Sequence, residues 1–356
     1  MYSARTLIRS SGVKAVLFVF LSIALVSCET VGYYSQAAHG QLTIVFGRED
    51  IQRLIERADL PEELSGKFAL VMDIRQFAED ELGLPVGENY STYVDIGREH
   101  VVWNVFSAPE FSVDPVNWCY PIAGCVAYRG YFSEQLALLY AAKLEEDGFD
   151  VYTGGVDAYS TLGWFEDSLL STILNRADYQ LAGLIFHELA HQLVYLSGDT
   201  TFNESFATAV EREGVRRWLM TSNEASNIDA ALLDYDRQQQ FIDLVAGYRD
   251  RFESLYQLDL IEVSMRSQKL ELQQALREEY AVLKRQWQGH EGYDAWFSRS
   301  LNNAQLSTVA SYNDLLPFFV AVLEQSNQDF SVFYAEVDRI ADLTEWERDE
   351  LITAIE

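Results

Sequence analysis

Basic side chains are scarce in this chain: 26 Lys and Arg stand against 55 Asp and Glu, a formal net charge of −29 over 356 residues. That balance argues against nucleic acid as a partner and against direct adsorption to anionic lipid, since both need clustered positive charge. Histidine is rarer still, with 5 residues, and there are only 3 cysteines. No low-complexity linker or internal repeat divides the chain. The roughly 328 residues after position 28, at 49% hydrophobic content for the whole sequence, can bury one large core or two smaller ones. Long apolar runs are absent except for one, residues 15–26, which only Ser22 interrupts.

That run follows Arg5, Arg9 and Lys14. It is short for a bilayer span and fits the hydrophobic region of a signal peptide. It ends in Leu25-Val26-Ser27-Cys28, which resembles the lipobox of bacterial lipoproteins. Cleavage before Cys28 would leave a cysteine carrying several acyl chains, which together anchor stably where one would not. A simple secretory signal or a short membrane anchor are the alternatives. Glu29 rather than aspartate follows the cysteine, which favours outer- over inner-membrane sorting in a Gram-negative host. The expectation is a signal peptide over 1–28, and one domain over 29–356 held by its lipid to the cell envelope, on the outer membrane facing the periplasm. Losing three basic and no acidic residues would take the charge from −29 to −32.

With Cys28 lipidated, Cys119 and Cys125 remain, flanking a Tyr-Pro-Ile-Ala-Gly turn. In an oxidising compartment that spacing suits a disulfide. Buried free thiols or zinc ligands are the alternatives, although a Cys-x5-Cys pair without partner histidines is poor metal spacing.

What is present is His187-Glu188-Leu189-Ala190-His191, followed by Asn203-Glu204-Ser205-Phe206-Ala207. Histidines four apart on a helix share a face, so both imidazoles can reach one zinc ion, and Glu188 can hold and deprotonate a water there. The surrounding run 181–196 is apolar, with Leu184, Ile185, Phe186, Leu189, Leu193 and Val194, so the helix is buried. A polar His-Glu-His set there is costly unless coordinated or hydrogen-bonded. A second helix carrying Glu204 would add an oxygen ligand and leave an open position, the pattern of a catalytic centre. The competing reading of Thr201-Phe202-Asn203-Glu204 is a capping box, with Glu204 serving only backbone donors. Glu211, two turns beyond Glu204, is either a competing ligand or a carboxylate that orients a ligating histidine.

HELAHQ with NESFATAVE resembles the zinc signature of gluzincin metallopeptidases, especially the aminopeptidase-N-like family. The resemblance implies one zinc ion held by His187, His191 and Glu204, with Glu211 supporting and Glu188 as general base. It departs in a shorter histidine-to-glutamate interval and in lacking the Gly-x-Met-Glu-Asn motif that holds a substrate amine. Trp118 to Cys125, Tyr128-Arg129-Gly130-Tyr131-Phe132 and the stretch from Ala158 to Phe165 resemble a bacterial lipoprotein family described as predicted aminopeptidases. The implied fold is α+β and mainly helical: a gluzincin, thermolysin-like core with a small sheet and a long C-terminal helical region.

Elsewhere, 41–80 and 133–147 read as helix, 85–131 as strands and turns, and 150–165 as two short strands around Gly154-Gly155. The last segment is either a substrate-aligning edge or an ordinary sheet strand. The zinc site falls within 181–220, a proline-free helix or hairpin within 229–289, and C-terminal helices within 293–356. Clean heptads for a dimeric coiled coil are lacking. Tyr312 is the candidate oxyanion donor, with Tyr159 behind it, while His290 reads as a surface residue. The expected reaction is zinc-dependent hydrolysis of peptides, as an aminopeptidase. An endopeptidase of envelope proteins, or a non-catalytic binding or assembly factor, are the alternatives.

Overall fold

The computed structural model describes residues 30–120, 124–158, 166–221, 225–309 and 315–355, so Cys28, Tyr159 and Tyr312 lie outside it. Helix α1 covers 30–46, earlier than the sequence pattern places the first helix. The region read as one helical stretch over 41–80 is then broken into β1 (Glu49–Asp50), α2 (Ile51–Ile55) and α3 (Glu62–Asp80). The cause is local. The Asp50 carboxylate accepts the Arg53 N–H at 2.9 Å and starts a new helix, while Pro61 sits at the cap of α3.

Residues 85–131 form the expected strands: β2 (Thr92–Val94), β3 (Val102–Pro109), β4 (Trp118–Tyr120), β5 (Gly124–Val126) and β6 (Tyr128–Tyr131). Cys119 and Cys125 face each other across the antiparallel β4–β5 ladder and are joined by a disulfide. After α4 (Glu134–Glu146), the segment read as two strands is one, β7 (Phe149–Val156). Gly154 and Gly155 pair with Asn104 and Trp103 of β3 instead of turning the chain. Their role is close packing: a Cβ at Gly155 would lie 2.0 Å from the His100 ring, so only glycine lets that ring sit on the strand. The sheet order is β6-β3-β7, and a second sheet, β1-β2-β8, closes through β8 (Leu169–Leu170) parallel to β2.

A 3₁₀ turn (Ser171–Ile173) leads into α5 (Asp178–Ala190) and α6 (Thr200–Thr221). Two glycines let this pair approach. A Cβ on Gly183 would meet Glu211 and Val215 at 3.2 Å, and one on Gly214 would meet Phe186 at 2.8 Å and Leu82 at 2.9 Å. Both helices bury Leu181, Ile185, Phe186, Phe202, Phe206 and Val210 in the main core. Gly214→Val is therefore expected to cost about 3 kcal/mol, the upper part of the overpacking range, read as a lowered denaturation midpoint. An unchanged midpoint would contradict the close approach.

The proline-free run resolves as an antiparallel hairpin, α7 (Ala225–Tyr256) and α8 (Glu262–Gln286). Its apolar stripe, including Val245, Tyr248, Phe252, Leu276 and Tyr280, forms a second core with Phe297, Leu301 and Leu306. The last two residue groups come from or border α9 (Asp294–Phe297) and α10 (Asn303–Leu306). Helices α11 (Leu316–Gln325), α12 (Phe330–Ala341) and α13 (Glu345–Ile355) follow, with α11 and α12 burying Phe318, Phe319 and Phe333 in the main core. The architecture is α+β and mainly helical with small sheets. Among the described residues no helix is long and apolar enough to cross a membrane.

Candidate metal centre

His187 lies in the last turn of α5 and His191 is its C-cap, still in helical conformation at φ −60°, ψ −21°. The two rings therefore lie one turn apart on one face, edge to face with centroids 4.8 Å apart. Beyond His191 the chain tightens, with Gln192 and Leu193 N–H groups donating to Leu189 and Ala190 carbonyls, and Gly198 takes the left-handed φ of 87° that turns it back. Asn203 fastens this return: its Oδ1 accepts the Leu196 N–H at 2.7 Å and its Nδ2 donates to the Leu196 carbonyl at 2.8 Å. The start of α6 is capped by Asp199, whose carboxylate accepts the Phe202 N–H at 2.9 Å. Glu204 is thus past the cap, and the capping-box reading does not hold.

Its carboxylate instead meets the histidines. His187 Nε2 is 3.2 Å from Glu204 Oε2, His191 Nε2 is 3.2 Å from His187 Nε2, and His191 Nε2 is 3.7 Å from Glu204 Oε1. One ligand atom from each of the three residues lies within 4.8 Å of the others, so the cluster could hold a metal ion. A tetrahedral centre with bonds of about 2.0–2.1 Å has edges of about 3.3 Å, close to these separations. The fourth protein group is Glu211, whose Oε2 is 3.1 Å from His187 Nδ1. It takes the position of the acid that orients a ligating imidazole through its other nitrogen.

The charges are consistent with a cation site. Burial opposes charge on His187, yet hydrogen bonds to Glu204 and Glu211 outweigh it and hold its pKa well above the usual value. Burial and the neighbouring His187 push His191 down to about 4. Burial would raise Glu204, but His187 holds it below the ordinary carboxylate value. His187 thus favours its protonated form between the two carboxylates. A metal ion must displace that proton, so apparent metal affinity falls as pH falls. Glu211→Gln removes one of those carboxylates from His187 Nδ1 while leaving the three ligands in place. It is expected to weaken metal binding about 10- to 100-fold in chelator competition; unchanged affinity would contradict the assigned role of Glu211.

A cleft of about 540 Å³ opens on His187, Glu188 and Glu211. Its far wall was not visible in the sequence: Asp234, Tyr235 and Arg237 come from α7, and Arg176 and Tyr179 from the approach to α5. Asp234 accepts from the Tyr179 hydroxyl, and from Gln180 Nε2 and an Arg237 guanidinium nitrogen, each at 3.3 Å. Burial and then the Glu211 charge hold the Tyr235 hydroxyl well above its normal pKa. His290, read as a surface residue, lines this cleft, because the break after α8 returns the chain over it. Tyr90, Tyr128 and Tyr195 are not among the residues that line this cleft, yet each feels a carboxylate of the site. Burial raises each of them, followed by Glu188 for Tyr90 and Glu204 for the other two, with Tyr128 pushed up to about 12.

Tyr128 begins β6, so the sheet edge beside the cluster is β6. Strand β7, the candidate substrate edge in the sequence, has its Val151 carbonyl taken by Asn302 Nδ2 at 2.8 Å. Tyr152 on β7 is shifted by burial and Arg299 rather than by the cluster.

No curated protein and no solved structure matches the chain. A family match runs over residues 32–352, nearly the whole described structure, and spans the cluster, the cleft and the hairpin alike. The chain belongs to that family, which is described as "Putative aminopeptidase".

Proposed function

We propose that the protein is a zinc-dependent peptidase of the bacterial envelope, an aminopeptidase tethered through lipidated Cys28. The observation that carries the reading is the convergence of His187 Nε2, His191 Nε2 and the Glu204 carboxylate within 4.8 Å, beside Glu188 and a substrate-sized cleft. Two imidazoles and one carboxylate suit zinc in a catalytic site of gluzincin type. Family membership supports the peptidase class.

Bound there, zinc would supply Lewis acidity, making water acidic near neutral pH and polarising a carbonyl. Glu188 takes the proton of the attacking water and returns it to the departing amine. Glu211 keeps the His187 ring oriented through Nδ1. The cleft walls from α7 limit water access to the reacting bond, which strengthens each of these electrostatic contacts.

The test is incubation of zinc-loaded protein with a mixed peptide library, cleavage sites being read by mass spectrometry. Loss of single N-terminal residues is expected. Internal cuts would make the enzyme an endopeptidase, and an intact library with zinc bound would refute the peptidase reading.

A further inference from the structure

Helix α1 has two faces. The inner one is clamped to the sheet: the Phe132 N–H donates to Gln36 Oε1 at 2.9 Å, and Gln36 Nε2 reaches the Gly130 carbonyl at 3.5 Å. Gly40 lies so close to the Phe132 ring that a Cβ would fall 2.0 Å from it, and Ile44 is buried. The outer face is exposed and mostly apolar, with Ser35 within it and His39 at its edge. Val31 is 63% exposed, Tyr34 46%, Leu42 49% and Phe46 82%, with exposed Ala38 between them. Steps of three or four residues put all five on one stripe. Between Glu29 and Arg48 there is no Asp, Glu, Lys or Arg, in a chain with 55 acidic residues. A stretch kept free of charge on such an acidic surface suits a partner that excludes charge.

We propose that this stripe rests in the interfacial layer of the lipid bilayer, so that α1 lies flat on the membrane and docks the body of the protein to it. The proposal rests on the lipid anchor at Cys28. One residue, Glu29, lies between Cys28 and the start of α1 at Thr30, two steps that span at most about 7 Å. Inserted acyl chains would therefore hold the helix at the lipid surface. At 1.5 Å per residue the helix runs about 25 Å along it. The acyl chains supply the attachment, and the apolar helix face adds buried area that fixes how the body lies on the surface. With no Lys or Arg on the helix, and with histidine carrying no charge above neutral pH, the contact there is hydrophobic and independent of anionic lipid and of salt. Strand β6, which α1 clamps, also carries Tyr128 beside Glu204 and Glu188. Docking therefore fixes the orientation of the metal cluster to the bilayer.

The test uses the full chain, processed in cells and reconstituted into neutral phosphatidylcholine vesicles. An environment-sensitive dye is placed at Leu42→Cys or Phe46→Cys, and at exposed Glu278→Cys on α8 as control. Flotation reads the anchor, and the dye reads the helix. The proposal expects emission at 42 and 46 to shift to the blue and to be lost with acyl-chain-brominated lipids, at low and high salt alike, with neither change at 278. Water-like emission at 42 and 46 on floating vesicles overturns it. So does a blue shift that brominated lipid leaves untouched, which would mean a cover of protein, from this chain or a second copy. A chain that does not float overturns the anchor and the proposal together.

Discussion

Glu188→Gln is expected to keep its metal and lose peptide hydrolysis by about 10²- to 10⁴-fold in kcat, or about 3–5 kcal/mol of barrier. The substitution is isosteric and removes only the ability to accept a proton. Glu188 sits half-buried on α5 between His187 and Leu189, and its charge reaches Tyr90 and Tyr128. None of the three ligand contacts involves it, so metal content measured by elemental analysis should equal that of the wild type. Reduced turnover with full metal would separate the base from the ligands. Undiminished hydrolysis would remove Glu188 from the mechanism.

His191→Ala is the complementary case, with loss of the metal itself. His191 is 7% exposed and is one of the three candidate ligands, and its Nε2 is the one that faces both His187 and Glu204. Without it, two ligands remain and the metal should fall below stoichiometric content on dialysis, taking hydrolysis with it. A second readout is thermal. A metal at a thousand times its Kd stabilises the wild-type fold by about 4 kcal/mol, so added zinc should raise the wild-type Tm by several degrees and leave that of the variant unmoved. A variant that retains one zinc per chain would show that the ion sits elsewhere.

The cluster was legible because its spacing is local. His187 and His191 are one helical turn apart, and Glu204 follows one short return, so period and turn chemistry carried most of the geometry. Choosing between cap and ligand for Glu204 needed the structure, since Asp199 turned out to hold the cap. The cleft wall was not legible, because Asp234, Tyr235 and His290 reach it only through the packing of the α7–α8 hairpin, which leaves no local pattern. The pair Gly154-Gly155 misled for a different reason. Adjacent glycines usually mark a turn, and here both lie on a continuous strand on which Gly155 makes room for His100. Gly183 and Gly214 likewise gave no signal, although the distance between the two helices that carry the cluster depends on them. The mainly helical α+β class came from the family resemblance, with the segment-by-segment reading of helices and strands in agreement. The break at Asp50 was not legible, because one capping carboxylate decided it.

The most direct measurement is anomalous diffraction at the zinc edge from crystals of the protein purified with zinc. The account predicts one strong peak between His187 Nε2, His191 Nε2 and the Glu204 carboxylate, at about 2.0–2.2 Å from each ligand atom. A peak at any other group of side chains, or no peak at this cluster with zinc in excess, would contradict it.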